Sequence, residues 1–357
     1  MPSIHQCVAG FSHGDAISNE ALVMRDIFRS WGYASTIFSE AKRILPELRK
    51  EAGDVFECRD ACTADDIVLL HLSMGSPVNQ IFAELPCKKA ILYHNVTPPE
   101  FFAGVQEQTA HHLITGREQV KQLSGTADLV MADSAFNTKE LNALGYENVH
   151  VLPLILDLGK LRVRSHRKTF KQYDDELINI LFVGRCVPNK RLEDCLSAFY
   201  FFQKFVQPAS RFIHVGSFAG TEQYHALLLT FLRDLQLEHV DFLGSMPQDQ
   251  LNACYQCTDL FLCMSEHEGF CIPLLEAMVH KVPILAYDAG AVSETLDGAG
   301  VLFKEKKFDY IAEMMGRLTG DKALRQTIIQ GQEERIRRYE NRNLEQELRK
   351  YMDVLLR

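Results

Sequence analysis

The sequence predicts an α/β protein built from two tandem, doubly wound Rossmann-like domains facing a cleft. Three observations carry that reading. Short apolar runs rich in Val, Ile, Leu and Phe, bounded by Gly, Pro, Asn, Asp or Ser, recur along the chain, as expected of parallel strands buried on both faces. Segments of helix length with helically spaced apolar residues separate them, and strands alternating with helices imply parallel sheets. The 357 residues exceed the roughly 250–300 at which a single core stops growing, so two domains are expected.

Taken in order, first-half strands are expected at 5–11, 34–38, 67–73, 90–95, 129–134 and 149–154. Second-half strands are expected at 178–184, 212–216, 240–244, 260–265, 282–287 and 301–303. Helices are expected at 20–31, 192–205 and 226–235. Residues 334–357 read as one long charged helix whose stripe of Leu344, Leu348, Met352 and Leu355 needs a surface to cover. The division is therefore a first domain 1–165 and a second domain 172–337, and either could supply the surface that the helix from about 338 to 357 covers. A basic run, Lys160, Arg162, Arg164, Arg167, Lys168 and Lys171, marks the expected joint. It reads either as a solvated linker or as a contact for an anionic acceptor or lipid headgroup.

The net charge of −9, with Lys and Arg spread along the chain, argues against nucleic acid as a partner. Ten cysteines are scattered, several of them inside apolar runs, which suits buried free thiols in a reducing compartment. Cys254 and Cys257 form the one Cys-x-x-Cys, and without a second pair they read as helix packing, not a zinc site. No apolar stretch approaches the ~18–20 residues of a membrane span. The protein is expected in the cytoplasm, touching the inner membrane face only if its acceptor is a lipid.

In open α/β sheets ligands bind beyond the carboxyl ends of the strands, so the residues that follow each run are where chemistry is expected. After the first strand of the second half come Gly184, Arg185 and Lys190. A planar guanidinium and an ammonium five residues apart can converge on one diphosphate, although two such cations can equally be solvated. After the run 260–265 comes Glu266-His267-Glu268-Gly269-Phe270-Cys271-Ile272-Pro273-Leu274-Leu275-Glu276-Ala277-Met278. Pro273 fits the start of a helix, whose free amides and positive dipole end form an anion site. Gly269 permits close backbone approach, and Glu276, expected in the first turn, can accept from ligand hydroxyls. Two acids on either side of an anion site fit a nucleotide sugar. They also fit ordinary acids favoured by a helix start.

The spacing of Glu268 and Glu276 within Glu-Gly-Phe-Cys-Ile-Pro-Leu-Leu-Glu-Ala-Met resembles the signature of retaining glycosyltransferases of family four. The resemblance extends through Gly184-Arg185, Lys190, Phe242-Leu243-Gly244 and Ala289-Gly290-Ala291-Val292-Ser293-Glu294-Thr295, spanning the second half in the expected order. It implies a GT-B fold in which the second domain, 172–337, holds the nucleotide-sugar donor, the first, 1–165, holds the acceptor, and the terminal helix, about 338–357, packs back on the first. It further implies that Arg185 and Lys190 neutralise the diphosphate and that Glu276 binds the ribose. Glu268 would contact the transferred sugar, with the amides of Gly269, Phe270 and Cys271 completing the site. Arg185, Lys190, Glu268 and His94 are the expected catalytic residues. In the first half, Gly10-Phe11-Ser12-His13-Gly14-Asp15 looks like the glycine-bearing loop near the donor phosphates, with Gly14 and Asp15 touching substrate and Ser18 or Asn19 capping the next helix. A plain strand-to-helix turn is the other reading. His94 sits where similar enzymes place a histidine near the reacting sugar, and the segment 93–102 is the expected acceptor-side surface. Relatives carry a second glycine soon after the strand 212–216, whereas Gly216-Ser217-Phe218-Ala219-Gly220 delays it.

No Asp-x-Asp occurs, so the usual carboxylate clamp for a divalent ion is missing and neither metal nor cofactor is expected. The expected reaction is transfer of a hexose-type sugar, with retention, from a UDP- or GDP-sugar to a hydroxyl of a glycan, lipid-linked or small-molecule acceptor. The alternatives are a GT-B epimerase or phosphorylase, or a non-catalytic relative that binds nucleotide sugar. A nicotinamide dehydrogenase would need Gly-x-Gly-x-x-Gly after a strand, which is absent.

Overall fold

The computed structural model describes residues 2–356; Met1 and Arg357, included above in the first domain and the terminal helix, lie outside the described residues. The chain forms two compact units. Unit 1 takes the chain up to Ala103, Glu107–Leu156 and the chain from Asn343; unit 2 takes Gly104–Gln106 and Asp157–Arg342.

Unit 1 is a seven-stranded, wholly parallel sheet. Its strands are β1 (Ile4–Val8), β2 (Ile37–Ser39), β3 (Ala52–Asp54), β4 (Ile67–Leu72), β5 (Lys88–Tyr93), β6 (Leu129–Ala132) and β7 (His150–Val151), in the order β3-β2-β1-β4-β5-β6-β7. Unit 2 is a six-stranded parallel sheet of β8 (Ile178–Val183), β9 (Ser210–Val215), β10 (Val240–Phe242), β11 (Leu260–Cys263), β12 (Ile284–Tyr287) and β13 (Val301–Phe303), ordered β10-β9-β8-β11-β12-β13. In both sheets the strand order reverses beside the unit's first strand, between β1 and β4 and between β8 and β11. At such a switch point the two loops diverge to opposite faces and leave a crevice.

All twelve expected strands form, because runs such as Ile-Val-Leu-Leu in β4 are buried on both faces. The unexpected strand is β3, three residues long with Gly53 beneath the Phe38 ring, at the sheet edge. It closes a core of Val8, Phe11, Ala21, Ile37, Ile44, Leu48 and Ala52.

The expectations differ from the structure at four helices, one of them the helix expected at 226–235, which runs Glu222–Asp234. The first helix is Ala16–Ser30, beginning four residues early because Asp15 caps it, taking the Ser18 amide at 2.8 Å. The helix expected at 192–205 is α-helical over Leu192–Phe201 and continues as a π-helical turn, Phe202–Val206. The single helix expected at 334–357 is two, Lys322–Asn341 and Leu344–Leu356. Arg342 adopts extended backbone with ψ 114, and the Asn343 side chain takes the Gln346 amide at 2.9 Å to start the last helix. That helix buries its four apolar positions within unit 1, where Tyr351 stacks on His150 and Lys88 bonds the Leu355 carbonyl.

The basic run is no free linker. Residues 157–165, placed above with the first domain, belong to unit 2. The helix Arg167–Tyr173 packs on the helix Gln248–Gln256, the His166 amide bonds the Asp249 carbonyl, and Arg162 pairs with Glu340 at 2.6 Å.

Candidate active site

At the switch point of unit 2 the loops that leave β8 and β11 are tied together. Asn189, after β8, accepts the Glu266 amide on its carbonyl at 2.9 Å and donates its side chain to the His267 carbonyl at 3.2 Å. Lys190 on the same loop places its ammonium 2.6 and 2.7 Å from the two carboxylate oxygens of Glu268. Only 19% of the lysine side chain and 7% of the glutamate's is exposed, so the two charges neutralise each other in a poorly hydrated place. Burial opposes the Lys190 charge, but the Glu268 carboxylate more than restores it and holds the ammonium pKa above its ordinary value.

The carboxylate is aimed by its backbone. Gly290, at φ +58, lies against the Glu268 peptide, and the Ala291 amide bonds the Glu268 carbonyl at 3.0 Å. Cys271 precedes the helix Ile272–Val279 with φ +73, a left-handed conformation uncommon outside glycine and costly to hold. The Phe270 carbonyl, just before it, accepts from the Thr295 hydroxyl. Pro273 occupies the first turn as expected, and Glu276 lies one residue beyond that turn, not within it. The Tyr255 hydroxyl donates to Glu276 at 2.8 Å, and burial raises the carboxyl's pKa against that bond.

Arg185 is exposed and makes no ion pair among the described residues. Its loop exits through Gly184, where Gly216 packs so closely that a β-carbon there would overlap the Gly184 carbonyl. Sequence reasoning missed the support beneath these loops. Lys306 reaches Asp194 at 2.6 Å, Glu266 at 2.7 Å and the Met264 carbonyl at 3.2 Å, while Arg191 pairs with Glu266 and Asp194. Lys306 stands 40 residues from Glu266 in a surface-like Lys-rich stretch, and no periodicity connects the two.

In unit 1 the expected residues occupy the corresponding place. Gly14, at φ +71, turns the chain after β1. The Asp15 carboxylate is engaged in capping, receiving the amide and, at 2.6 Å, the hydroxyl of Ser18. The segment 93–102 is largely internal. Tyr93, Asn95, Val96 and Phe102 are buried, and Asn95 donates to Asn137 and Glu140, which leaves 97–101 accessible. His94 follows β5 with a side chain only 3% exposed.

Among the described residues, two clusters bring together side chains of types that can ligate a metal: Glu20, His71 and His94 in unit 1, and Cys263, Glu268 and Cys271 in unit 2. In the second, Lys190 already supplies a cation to both Glu268 oxygens. In the first, the two imidazole rings are parallel to within 3° with centroids 5.2 Å apart, and their facing nitrogens, 3.0 Å apart, are hydrogen-bonded to each other and so do not offer two lone pairs to an ion. The ten cysteines are free thiols, nine of them buried.

Two parallel α/β sheets with this arrangement of loops match the fold of GT-B glycosyltransferases. The family model of glycosyl transferases group 1 matches residues 164–348, just over half of the chain, and the protein belongs to that family. The chain is 29% identical over 213 residues to the D-inositol 3-phosphate glycosyltransferase of Nocardia farcinica, covering 57% of this chain and 47% of that protein. It is 23% identical over 194 residues to the GDP-mannose-dependent alpha-mannosyltransferase of Mycobacterium tuberculosis, covering 53% and 47%. It thus spans about half the length of these curated relatives. The solved structure of Anabaena HepE with UDP and glucose superposes with a TM-score of 0.77 at 17% identity, over 98% of this chain and 99% of that one, which shows the shared fold.

Proposed function

We propose that the chain is a retaining glycosyltransferase that moves a hexose-type sugar from a UDP- or GDP-sugar to a hydroxyl acceptor without a bound divalent ion. The observation that carries this reading is the buried Lys190–Glu268 pair at the switch point of unit 2, immediately before the helix Ile272–Val279. A diphosphate placed there meets the exposed Arg185, the Lys190 ammonium and a helix N-terminus, three sources of positive potential. As phosphate oxygens approach, Lys190 shares its protons between them and Glu268, freeing carboxylate capacity for hydroxyls of the transferred sugar. Glu276, steadied by Tyr255, receives the ribose hydroxyls. Gly269, Phe270 and Cys271 contribute backbone to the same contacts.

In this reading the bond from the anomeric carbon to the diphosphate oxygen breaks, and the diphosphate leaves with the electron pair. The cations and helix amides stabilise that charge in place before it develops. The acceptor oxygen attacks from the same side, and its proton passes to an oxygen of the departing diphosphate, so no enzyme nucleophile is required. The acceptor, a glycan, lipid-linked sugar or small molecule, is assigned to unit 1, at the accessible residues 97–101 that follow His94. No helix among the described residues is long and apolar enough to cross a membrane, and contact with a membrane surface follows only for a lipid acceptor.

The test is a calorimetric titration of the chain with UDP, GDP and their common hexose conjugates, with and without EDTA, followed by NMR of the product's anomeric proton. One nucleotide class binding regardless of EDTA, lost in Glu276→Ala, with the donor's anomeric configuration kept, supports the proposal. No binding at millimolar ligand turns the assignment toward a non-catalytic relative.

A further inference from the structure

Unit 1 buries a row of polar side chains that climbs across its sheet. Strand register places Gln6 level with Leu69, His71 level with Leu92, and Leu92 level with Met131. Side chains alternate faces along a strand, so His94, two residues beyond Leu92, and Asp133, two beyond Met131, lie on the same face as His71 and Gln6. The four residues form a staircase toward the carboxyl ends of the strands.

With Asp133 ionised, the hydrogen bonds along it can be satisfied in one way. Gln6 Nε2 lies 3.0 Å from the Ala21 carbonyl, which can only accept, so the Gln6 amide nitrogen must be on that side and its oxygen must face His71. His71 Nε2, 2.9 Å from that oxygen, must donate. His71 is wholly buried, with its pKa held well below the ordinary value by burial and by the neighbouring His94, and is therefore neutral. With its one proton on Nε2, its Nδ1 offers a lone pair. His94 Nε2, 3.0 Å away and hydrogen-bonded to that nitrogen, must donate to it. The other His94 nitrogen, Nδ1, faces Asp133 Oδ2 at 3.4 Å, and Asn137 donates to the remaining Asp133 oxygen, so that with the carboxylate ionised both its oxygens accept. Both nitrogens of His94 are thus called on to donate.

We infer that His94 is held as an imidazolium, its second proton imposed by the Gln6–His71 pair, which makes Gln6 and His71 positioning residues for it. The groups facing His94 fit a cation: Asp133 beyond β6, Glu20 on the helix Ala16–Ser30 with an oxygen 3.7 Å from Nε2, Asp15 at that helix's cap, and neutral His71 on β4. That Glu20 oxygen is buried with no hydrogen-bond partner, and its unsatisfied capacity serves as counter-charge. Burial opposes the imidazolium, yet the Asp133 bond and the Glu20 charge hold its pKa above the ordinary value. A histidine in this state has no lone pair to give. It supplies positive charge at the strand ends of unit 1 and does not serve as the base that takes an acceptor's proton, a statement about role that rests on the proposed function.

The charge state itself is tested without substrate. Histidine-¹⁵N-labelled full chain is studied by NMR from pH 6 to 9, with His94 assigned by the signal lost in His94→Gln. The expected result is two protonated ring nitrogens on His94 at pH 7.5 and a single proton, on Nε2, for His71. In Gln6→Met, where His71 is released to either tautomer, the His94 titration should move down by one pH unit or more. A bare His94 nitrogen at pH 7.5 in the wild-type spectrum, or a Gln6→Met titration that coincides with wild type, overturns the inference. Loss of the proposed transfer activity leaves it standing, and a neutral His94 sinks it even in an active enzyme.

Discussion

A β-carbon on Gly290 would stand 2.5 Å from the carbonyl oxygen of Glu268 and 2.9 Å from its nitrogen. These atoms are backbone and cannot swing aside. Gly290→Ala must therefore push the Glu268 peptide away while also holding alanine at φ +58, a combined cost of about 2–4 kcal/mol. Because the same peptide aims the carboxylate at Lys190, donor affinity should fall at least tenfold, measured by UDP- or GDP-sugar calorimetry beside urea unfolding. Wild-type affinity in a folded variant would show that the Glu268 position is not set by this contact.

Lys190→Met strands a buried carboxylate, and losing one partner of a buried pair costs about 3–5 kcal/mol. The double variant Lys190→Met/Glu268→Leu removes both charges and should recover most of that loss while donor binding stays absent. Chemical denaturation of the four proteins in the cycle gives the coupling. A Lys190→Met protein within 1 kcal/mol of wild type would contradict a dry, tightly coupled pair.

Glu276 predicts a pH dependence of binding. Burial raises its pKa and the Tyr255 hydroxyl counters that, so the ionised form that accepts ribose hydroxyls is lost at higher pH than for an ordinary carboxyl. Donor affinity should weaken as pH falls, beginning above the usual carboxyl range. In Tyr255→Phe the weakening should begin at still higher pH, with about 1–3 kcal/mol of stability lost because a buried acceptor has no partner. Identical pH profiles for the two proteins would remove Glu276 from donor recognition.

Glu20 predicts a pH dependence of stability. Burial first, partly offset by the His94 charge and the Ile155 amide, moves its pKa from 4.5 to about 7. The folded state then binds this proton more tightly than the unfolded state does, a contribution present in full below 4.5 and lost as pH rises to about 7, in all about 3 kcal/mol. Glu20→Gln cannot titrate, so its stability relative to wild type should climb by that amount across the interval. Urea unfolding of both proteins at a series of pH values reads the difference directly, and a constant offset would refute it.

Much of this architecture was legible because a parallel strand buried on both faces writes itself as an unbroken apolar run, and twelve such runs became twelve strands. β3 escaped because three residues with a central glycine carry no period. The break at Arg342 escaped because the apolar stripe of Leu344–Leu355 continues a helical spacing, while the interruption depends on one cap made by Asn343. In the site, Glu268, Glu276, Arg185 and Lys190 stood out by order and spacing, but the pairing of Lys190 with Glu268 spans 78 residues and is set by loop geometry. The staircase in unit 1 was hidden for a simpler reason. Gln6, His71 and Asp133 lie inside or at the ends of runs read as plain strand, and Glu20 was read as the beginning of a helix. A polar residue interrupting an otherwise continuous apolar strand was the available signal.

The chain enters unit 2 at Asp157 and leaves it at Arg342, so that, apart from residues 104–106, one unit is spliced into the other. All of unit 2 but those three residues is one stretch that a gene fragment could encode by itself. Unit 1 is not: it is stitched from distant pieces, and its final helix must find its place after everything between has been synthesised. A ribosome therefore finishes unit 2 before unit 1 has all its parts, and a truncation that removes the last helix injures the unit to which the first strands belong.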